Sequence, residues 1–566
     1  MMKNIMKITI FVSVIFSLAI SVWYSPILFK GSLLKGAGEN IILGRNLAQT
    51  GVYSSENDLN VLLSSSLVKE QGQVSTSGNK LTAVLYGKLF KTFGELNENK
   101  LVLLSIAVYA LSLIIFTLIV LHLFGFKISL IFSLIYILLP FNWQQSFFIG
   151  TYEFALLFFS FFFLFYFLGL NRKHHYFYLI PAGFFLSLAC IAKETFFVFI
   201  PFFIFYLWWK NPKRYLLYVF VPFLILFSYF WLPNALGTGG NTYLLLFINQ
   251  TPEELESTGS GIYHHFPDPY TYYFNKEEFL KNCQNELDSQ ETSFFTKAGS
   301  IKSAANYGFM TPSFRERIWA GSVLFSNHIS RFFSWEVIGG PFIFLLMFLG
   351  IYSLRQKNRY LLELSLGWIS SVIFLLSFVI LVGRSHLVDF GWILVLWITL
   401  GLTMITGIIC QYFHFDKMKS RVLLLVMVLI TLYSLILANH AAWDILFEGQ
   451  EASLKITVYS QKIKELNVPD ESVIAVPKSV AHYRLNYLNN KSLVIFLEET
   501  IKDLLNKGEL ASAFEKFKVK YVLGYPAFLT EEIIKQTQAI NIADNSVEIP
   551  QIQMSPAKVW FLNLVK

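Results

Sequence analysis

The chain has 566 residues, 55% of them hydrophobic, 58 of them Phe, with a formal net charge of +8. That apolar content, with a mean hydropathy of +0.52, excludes an ordinary soluble globule. The positive charge sits in short turns between apolar runs and so does not indicate nucleic-acid binding, and the three cysteines, Cys190, Cys283 and Cys410, imply neither a disulfide framework nor a thiolate metal site.

Apolar runs of about 18 or more residues read as membrane-spanning helices. The start, MMKNIMK, has the positive flank of a signal peptide. The apolar run behind it is too long for one, so it is read as an uncleaved first helix. Eleven spans are predicted, near 8–29, 101–124, 128–147, 154–170, 176–192, 195–209, 215–233, 337–354, 360–383, 388–411 and 422–439. The span at 195–209 is short for a bilayer. With the N-terminus inside, the inside turns hold Lys3 and Lys7; Lys127; Arg172 and Lys173; Lys210, Lys213 and Arg214; Arg355, Lys357 and Arg359; and Lys417, Lys419 and Arg421. Only Asp416 opposes them, which is the pattern of the positive-inside bias.

This orientation divides the chain into a transmembrane part, 1–440, and an extracytoplasmic soluble part, 441–566. Two large outer loops, 30–100 and 234–336, belong to the first. The C-terminal part reads as α/β. SVIAVP, SLVIFL and KYVLGYP are β-like, and ITVYSQKIKEL, EETIKDLLNKG and ELASAFEKFK are helical. No internal repeat or low-complexity segment occurs.

Charges at a membrane edge are costly and suggest function. Glu39 follows the first span, ahead of a short amphipathic run expected to lie on the membrane surface. It reads either as a solvated loop carboxylate or as a general base taking the proton of an incoming hydroxyl. Glu153, at the outer mouth of the fourth span, reads either as an ordinary helix-start charge or as a second catalytic carboxylate. Lys193 and Glu194 occupy an outer hairpin tip. They form an internal ion pair, or Lys193 holds a phosphate at the membrane surface. Arg384, in the outer turn GRSH, is either a snorkelling anchor or a planar fork for phosphate. Arg45, Glu194, His264, His265 and His386 are further candidate substrate contacts. His264 and His265 with Asp268 form no convincing metal pattern, so no metal site is assigned, although a divalent ion is compatible with the outer acids. No phosphate-cradling Gly-rich motif and no sizeable inside domain occurs. A transferase built this way takes its donor from a lipid.

These features resemble the GT-C superfamily of membrane glycosyltransferases, in particular the branch of protein O-mannosyltransferases and aminoarabinose lipid A transferases. The matching text is GENIILGRNLAQTGVYS with Glu39 on the acidic position, KLTAVLYGKLFKTFGE before the second span, Glu153 in the next outer loop, LACIAKETFFVFIP with Lys193, and the late turn at Arg384. The chain departs from that branch in lacking the Pro-rich segment before the second span and the Tyr and Pro after Arg384. The resemblance implies an inverting transfer of one sugar from a polyprenyl-phosphate donor to an acceptor hydroxyl outside the cytoplasm. It implies Glu39 as base and Arg384 and Lys193 as holders of the lipid phosphate. It implies Glu153 at the sugar or acceptor. The partners expected are this donor, a hydroxyl acceptor of protein, lipid or cell-envelope glycan, and membrane lipids of the plasma (inner) membrane. The competing expectations are an oligosaccharyl-type transferase, a lipid or polysaccharide flippase, and an inactive scaffold.

Overall fold

The computed structural model describes residues 38–50, 62–63, 80–94, 96–139, 152–170, 174–193, 196–197, 199–237, 340–374, 391–469, 472–477, 492–496, 498–537, 540–541, 546–547, 557–558 and 561–564, with residues 11, 322, 325, 485 and 489 among the gaps.

The helical part begins with α1 (Gly38–Thr50), a two-residue strand β1 (Leu62–Leu63) and α2 (Lys80–Phe93). The apolar helices follow: α3 (Glu98–Phe124), α4 (Phe126–Leu138), α5 (Glu153–Leu170), α6 (Tyr176–Ala192), α7 (Phe199–Lys210), α8 (Lys213–Gly237), α9 (Pro341–Lys357), α10 (Arg359–Phe374), α11 (Gly391–Tyr412) and α12 (Lys417–Glu465). Helices therefore stand at ten of the eleven predicted spans; the first span, 8–29, lies outside the described residues apart from Phe11. Four described stretches are long and apolar enough to cross a membrane: α3, α5, α11 and the first 20 residues of α12. The chain is an integral membrane protein.

Local chemistry sets the helix ends. Asn97 caps α3, its side chain accepting from the Lys100 N–H at 2.9 Å, and Asp416 caps α12 through the Lys419 N–H at 2.8 Å. Gly125 alone separates α3 from α4. Its φ of +84° is a left-handed value that a side chain would oppose.

The helices pack through rings and small residues. Phe159 and Phe163 of α5 meet Phe199 of α7 and Trp368 of α10 at centroid separations of 5.3–5.9 Å. Three of these four contacts are edge-on, a geometry that suits the ring quadrupole. Elsewhere backbones touch. A Cβ on Gly350 of α9 would stand 1.7 Å from the Trp397 carbonyl oxygen of α11, and one on Gly401 of α11 would stand 1.8 Å from the Leu346 carbonyl oxygen. Close small-residue crossings of this kind hold membrane helices together where lipid is as apolar as Leu. The other side of the bundle is greasy: Val422, Leu425, Leu429, Ile430 and Tyr433 of α12 are exposed and form a lipid-facing surface.

The amphipathic run after Glu39 packs into the protein: Asn40 to Arg45 are consecutively buried, and Ile41 joins the same core as the apolar helices. Helix α2 covers α1, because Gly44 and Gly87 let the two backbones meet: a Cβ on Gly44 would lie 2.7 Å from the Ala83 carbonyl oxygen.

The C-terminal part is a sheet in the order β1-β3-β2-β4-β8-β5. Its strands are β2 (Val473–Val476), β3 (Ser492–Phe496), β4 (Val519–Leu523), β5 (Ile540–Asn541) and β8 (Phe561–Asn563); β6 (Ser546–Val547) pairs with β7 (Ala557–Lys558) separately. β1, β3, β2 and β4 are parallel, and β8 and β5 run antiparallel. Alternate residues serve opposite faces. Ile474, Val476 and Leu523 pack with Ile456 and Ile463 from the end of α12. Ala475, Val494 and Phe496 pack with α13 (Glu498–Lys507), α14 (Leu510–Lys516) and α15 (Ala527–Thr537). Two boundaries differ from the sequence reading. The last span and the predicted helix ITVYSQKIKEL are one continuous helix of 49 residues, α12. Strand β1 comes from the first outer loop and pairs with β3, Leu62 opposite Ile495 and Leu63 opposite Phe496.

Gly401→Ala is expected to destabilise the bundle by about 1–3 kcal/mol through overpacking. Gly407→Ala on the same helix meets open space and should leave the melting temperature in detergent unchanged or higher. Tyr525 donates to the Phe496 carbonyl at 2.8 Å, and burial, reinforced by Glu498, holds its hydroxyl well above the ordinary value of 10.0. Its raised folded pKa contributes stability that is whole below pH 10 and is lost as pH rises above it, because the unfolded Tyr ionises first. Alkaline unfolding should therefore be less steep in Tyr525→Phe.

Candidate functional site

The site is built where the ends of α5 and α6 meet α2. Glu153 opens α5, so its carboxyl lies at the positive end of the helix dipole. Lys193 closes α6 as its C-cap, its N–H donating to the Ala189 carbonyl at 3.0 Å. The Lys193 ammonium stands 5.3 Å from the centroid of the Tyr152 ring, within cation–π range. The residue next to Tyr152 is Glu153, so the predicted carboxylate and the predicted cation share one rim.

Helix α2 closes that rim from the side. The Tyr86 hydroxyl donates to Glu153 Oε1 at 2.5 Å, and the Tyr86 ring meets Phe154 edge-on at 5.5 Å. One turn earlier on the same face, the Thr82 hydroxyl donates to the Ala192 carbonyl at 3.0 Å, a carbonyl at the end of α6 that the helix itself leaves open. Thr82, Tyr86 and Glu153 are each at most 2% exposed. A carboxyl buried to this degree needs a donor, and Tyr86 supplies one. Behind α2 lies α1, with Asn40 and Arg45 buried. Asn40 is four residues before Gly44 and so shares the helix face that meets α2.

Of the residues singled out in the sequence, the fold brings Glu153 and Lys193 together and places Arg45 in the adjoining core. Glu39 lies in the first turn of α1; its side chain lies outside the description. Glu194, His264, His265, Arg384 and His386 lie outside the described residues. Among the described residues no three His, Cys, Asp or Glu side chains converge as a metal site. Sequence reasoning missed Tyr86 and Thr82. Their signal was present: they stand four apart on one face of KLTAVLYGKLF, where the remaining positions of that face are apolar.

No family model matches the chain, and no curated protein matches it. Solved structures do. The Archaeoglobus fulgidus oligosaccharyltransferase, tethered to an acceptor peptide containing the NVT sequon, aligns over 92% of this chain and 69% of its own at 12% identity, with a TM-score of 0.54. The same archaeal enzyme, AglB, in complex with an inhibitory peptide and a dolichol-phosphate, gives 0.53 at 12% identity and the same coverage. ArnT from Cupriavidus metallidurans, bound to undecaprenyl phosphate, aligns over 98% of both chains at 11% identity with a TM-score of 0.42, too loose a likeness to argue from. The chain shares the fold of this archaeal oligosaccharyltransferase.

Tyr86→Phe leaves a buried carboxyl without that donor, which is expected to cost about 1–3 kcal/mol. Combined with Glu153→Leu, the loss should shrink, because the group needing the donor is gone. Thermal unfolding of the two single variants and the double variant checks this.

Proposed function

We propose that this protein transfers a single sugar from a polyprenyl-phosphate-linked donor to a hydroxyl acceptor on the extracytoplasmic side of the plasma (inner) membrane. The observation that carries this reading is the buried carboxyl of Glu153 sharing one rim with Lys193 in a GT-C fold. The archaeal enzyme of the same fold has been solved with a dolichol-phosphate, which supports a lipid-phosphate donor here.

In this reading the acceptor oxygen attacks the anomeric carbon from the face opposite the phosphate. The anomeric C–O bond to phosphate breaks, and its electron pair leaves on polyprenyl phosphate. The configuration inverts. Glu39 takes the acceptor's proton, and Glu153 holds sugar or acceptor. Lys193 and Arg384 hold the phosphate and stabilise the charge it gains as it departs. Residues 1–440 form the catalytic part, and 441–566 form an outer unit that presents the acceptor. A divalent ion is not required by this scheme.

A second reading, transfer of a lipid-linked oligosaccharide, is favoured by one observation: the archaeal enzyme that this chain matches with a TM-score above 0.5 is an oligosaccharyltransferase. Donor chemistry separates the two.

Purified protein is incubated with a panel of polyprenyl-phosphate monosaccharides and, separately, pyrophosphate-linked oligosaccharides, with crude envelope acceptor. Release of polyprenyl phosphate from the monosaccharide donors is expected. Glu39→Gln should lower it roughly 10²–10⁴-fold, the contribution of a positioned acid or base. Release only from oligosaccharide donors selects the second reading, and no release from either rejects both.

A further inference from the structure

The far end of α5 carries a second polar cluster, and it joins three helices. The hydroxyls of Tyr166 on α5 and Tyr360 on α10 hydrogen-bond to each other. Asn211, just beyond α7, donates its side-chain N–H to the Tyr360 hydroxyl at 2.9 Å. Tyr206 of α7 donates to the Tyr360 backbone carbonyl at 2.8 Å. Alongside, Lys210 and Glu363 form an ion pair at 2.6 Å, and Arg359 reaches the same carboxylate at 2.9 Å. Tyr360 is the hub: one residue engages both α5 and α7.

Those two helices lead to the rim. Helix α5 starts with Glu153. Helix α7 follows the turn in which the Phe196 N–H donates to the Lys193 carbonyl at 3.2 Å. Helix α7 has 12 residues and is about 18 Å long, against a hydrocarbon layer of about 30 Å. The bilayer therefore does not fix its depth, since a helix this short is not anchored at both interfaces. Contacts within the protein must do so. At the rim side these are ring contacts, Phe196 on Phe159 at 4.8 Å and Phe199 on Trp368 at 5.0 Å. Ring contacts tolerate sliding. At the other side they are directed hydrogen bonds and an ion pair, which do not.

We infer that Tyr360 is a positioning residue: by tying Tyr166 to Asn211 and Tyr206, it sets the depth of α7 against α5 and so the placement of Lys193 beside Glu153. It touches no substrate and acts from the opposite end of the bundle. The consequence for the chemistry rests on the proposed phosphate role of Lys193.

The test uses the full chain in detergent with farnesyl phosphate as the probe. Its dissociation constant is measured for wild type, Tyr360→Phe, Lys193→Ala and the double variant, with melting temperatures alongside. Tyr360→Phe is expected to weaken binding roughly tenfold, and the double variant to bind no worse than Lys193→Ala alone, because coupled residues are not additive. Asn211→Ala, which removes one of the hub's bonds, should show the same pattern and serves where Tyr360→Phe does not fold. Wild-type affinity in both latch variants, or losses that multiply with Lys193→Ala, would overturn the inference. A wild type that binds no farnesyl phosphate, with or without the variants, instead rejects the phosphate reading on which the inference stands.

Discussion

Burying the Glu153 carboxyl at the head of α5 is the constraint around which the outer rim is arranged. An apolar bundle offers nothing to a carboxyl, and leaving one there without a donor costs more than most single contacts return. Tyr86 of α2, 67 residues earlier in the chain, donates to it. That bond holds α2 against the start of α5. Once α2 lies there, Thr82 finds the open carbonyl at the end of α6, and the glycine crossing at Gly44 draws α1 in behind it. Helix α1 thereby forms one wall of the rim.

The same rule operates at the other end of α5. Tyr166 is fully buried among Phe rings, and its hydroxyl finds Tyr360. Between these two polar ends, thirteen residues apart, the helix offers mainly rings. Aromatic contacts supply area and some directionality, but their minima along the helix axis are shallow. Polar contacts at the two ends therefore define the register that the rings between them fill. The short α7 is the helix with the most to gain from this division of labour.

The C-terminal sheet is tied down in two ways. Helix α12 continues without a break beyond its apolar first 20 residues until its end packs on one face of the sheet, so no flexible linker intervenes. Strand β1 brings the loop between α1 and α2 to the edge of that sheet. The wall of the rim and the outer sheet are thus joined by backbone hydrogen bonds as well as by covalent chain.

Much of this was legible in the sequence. Long apolar runs determine helices because a backbone in lipid must satisfy its own hydrogen bonds, and those runs marked ten of the described helices, α3 to α12. Short β-branched runs gave β2, β3 and β4, and the glycine after Leu504-Leu505-Asn506-Lys507 marked the end of α13. Glu153 and Lys193 could be singled out because charge beside an apolar run is unusual. The tertiary structure alone decided which of these groups meet. No local pattern shows that Tyr86 serves Glu153 across 67 residues, that Tyr360 serves Tyr166 across 194, or that a strand near residue 62 completes a sheet built after residue 472. Periodicity reports only which face of an element avoids water; the partner that fills that face is chosen by packing among elements distant in the chain.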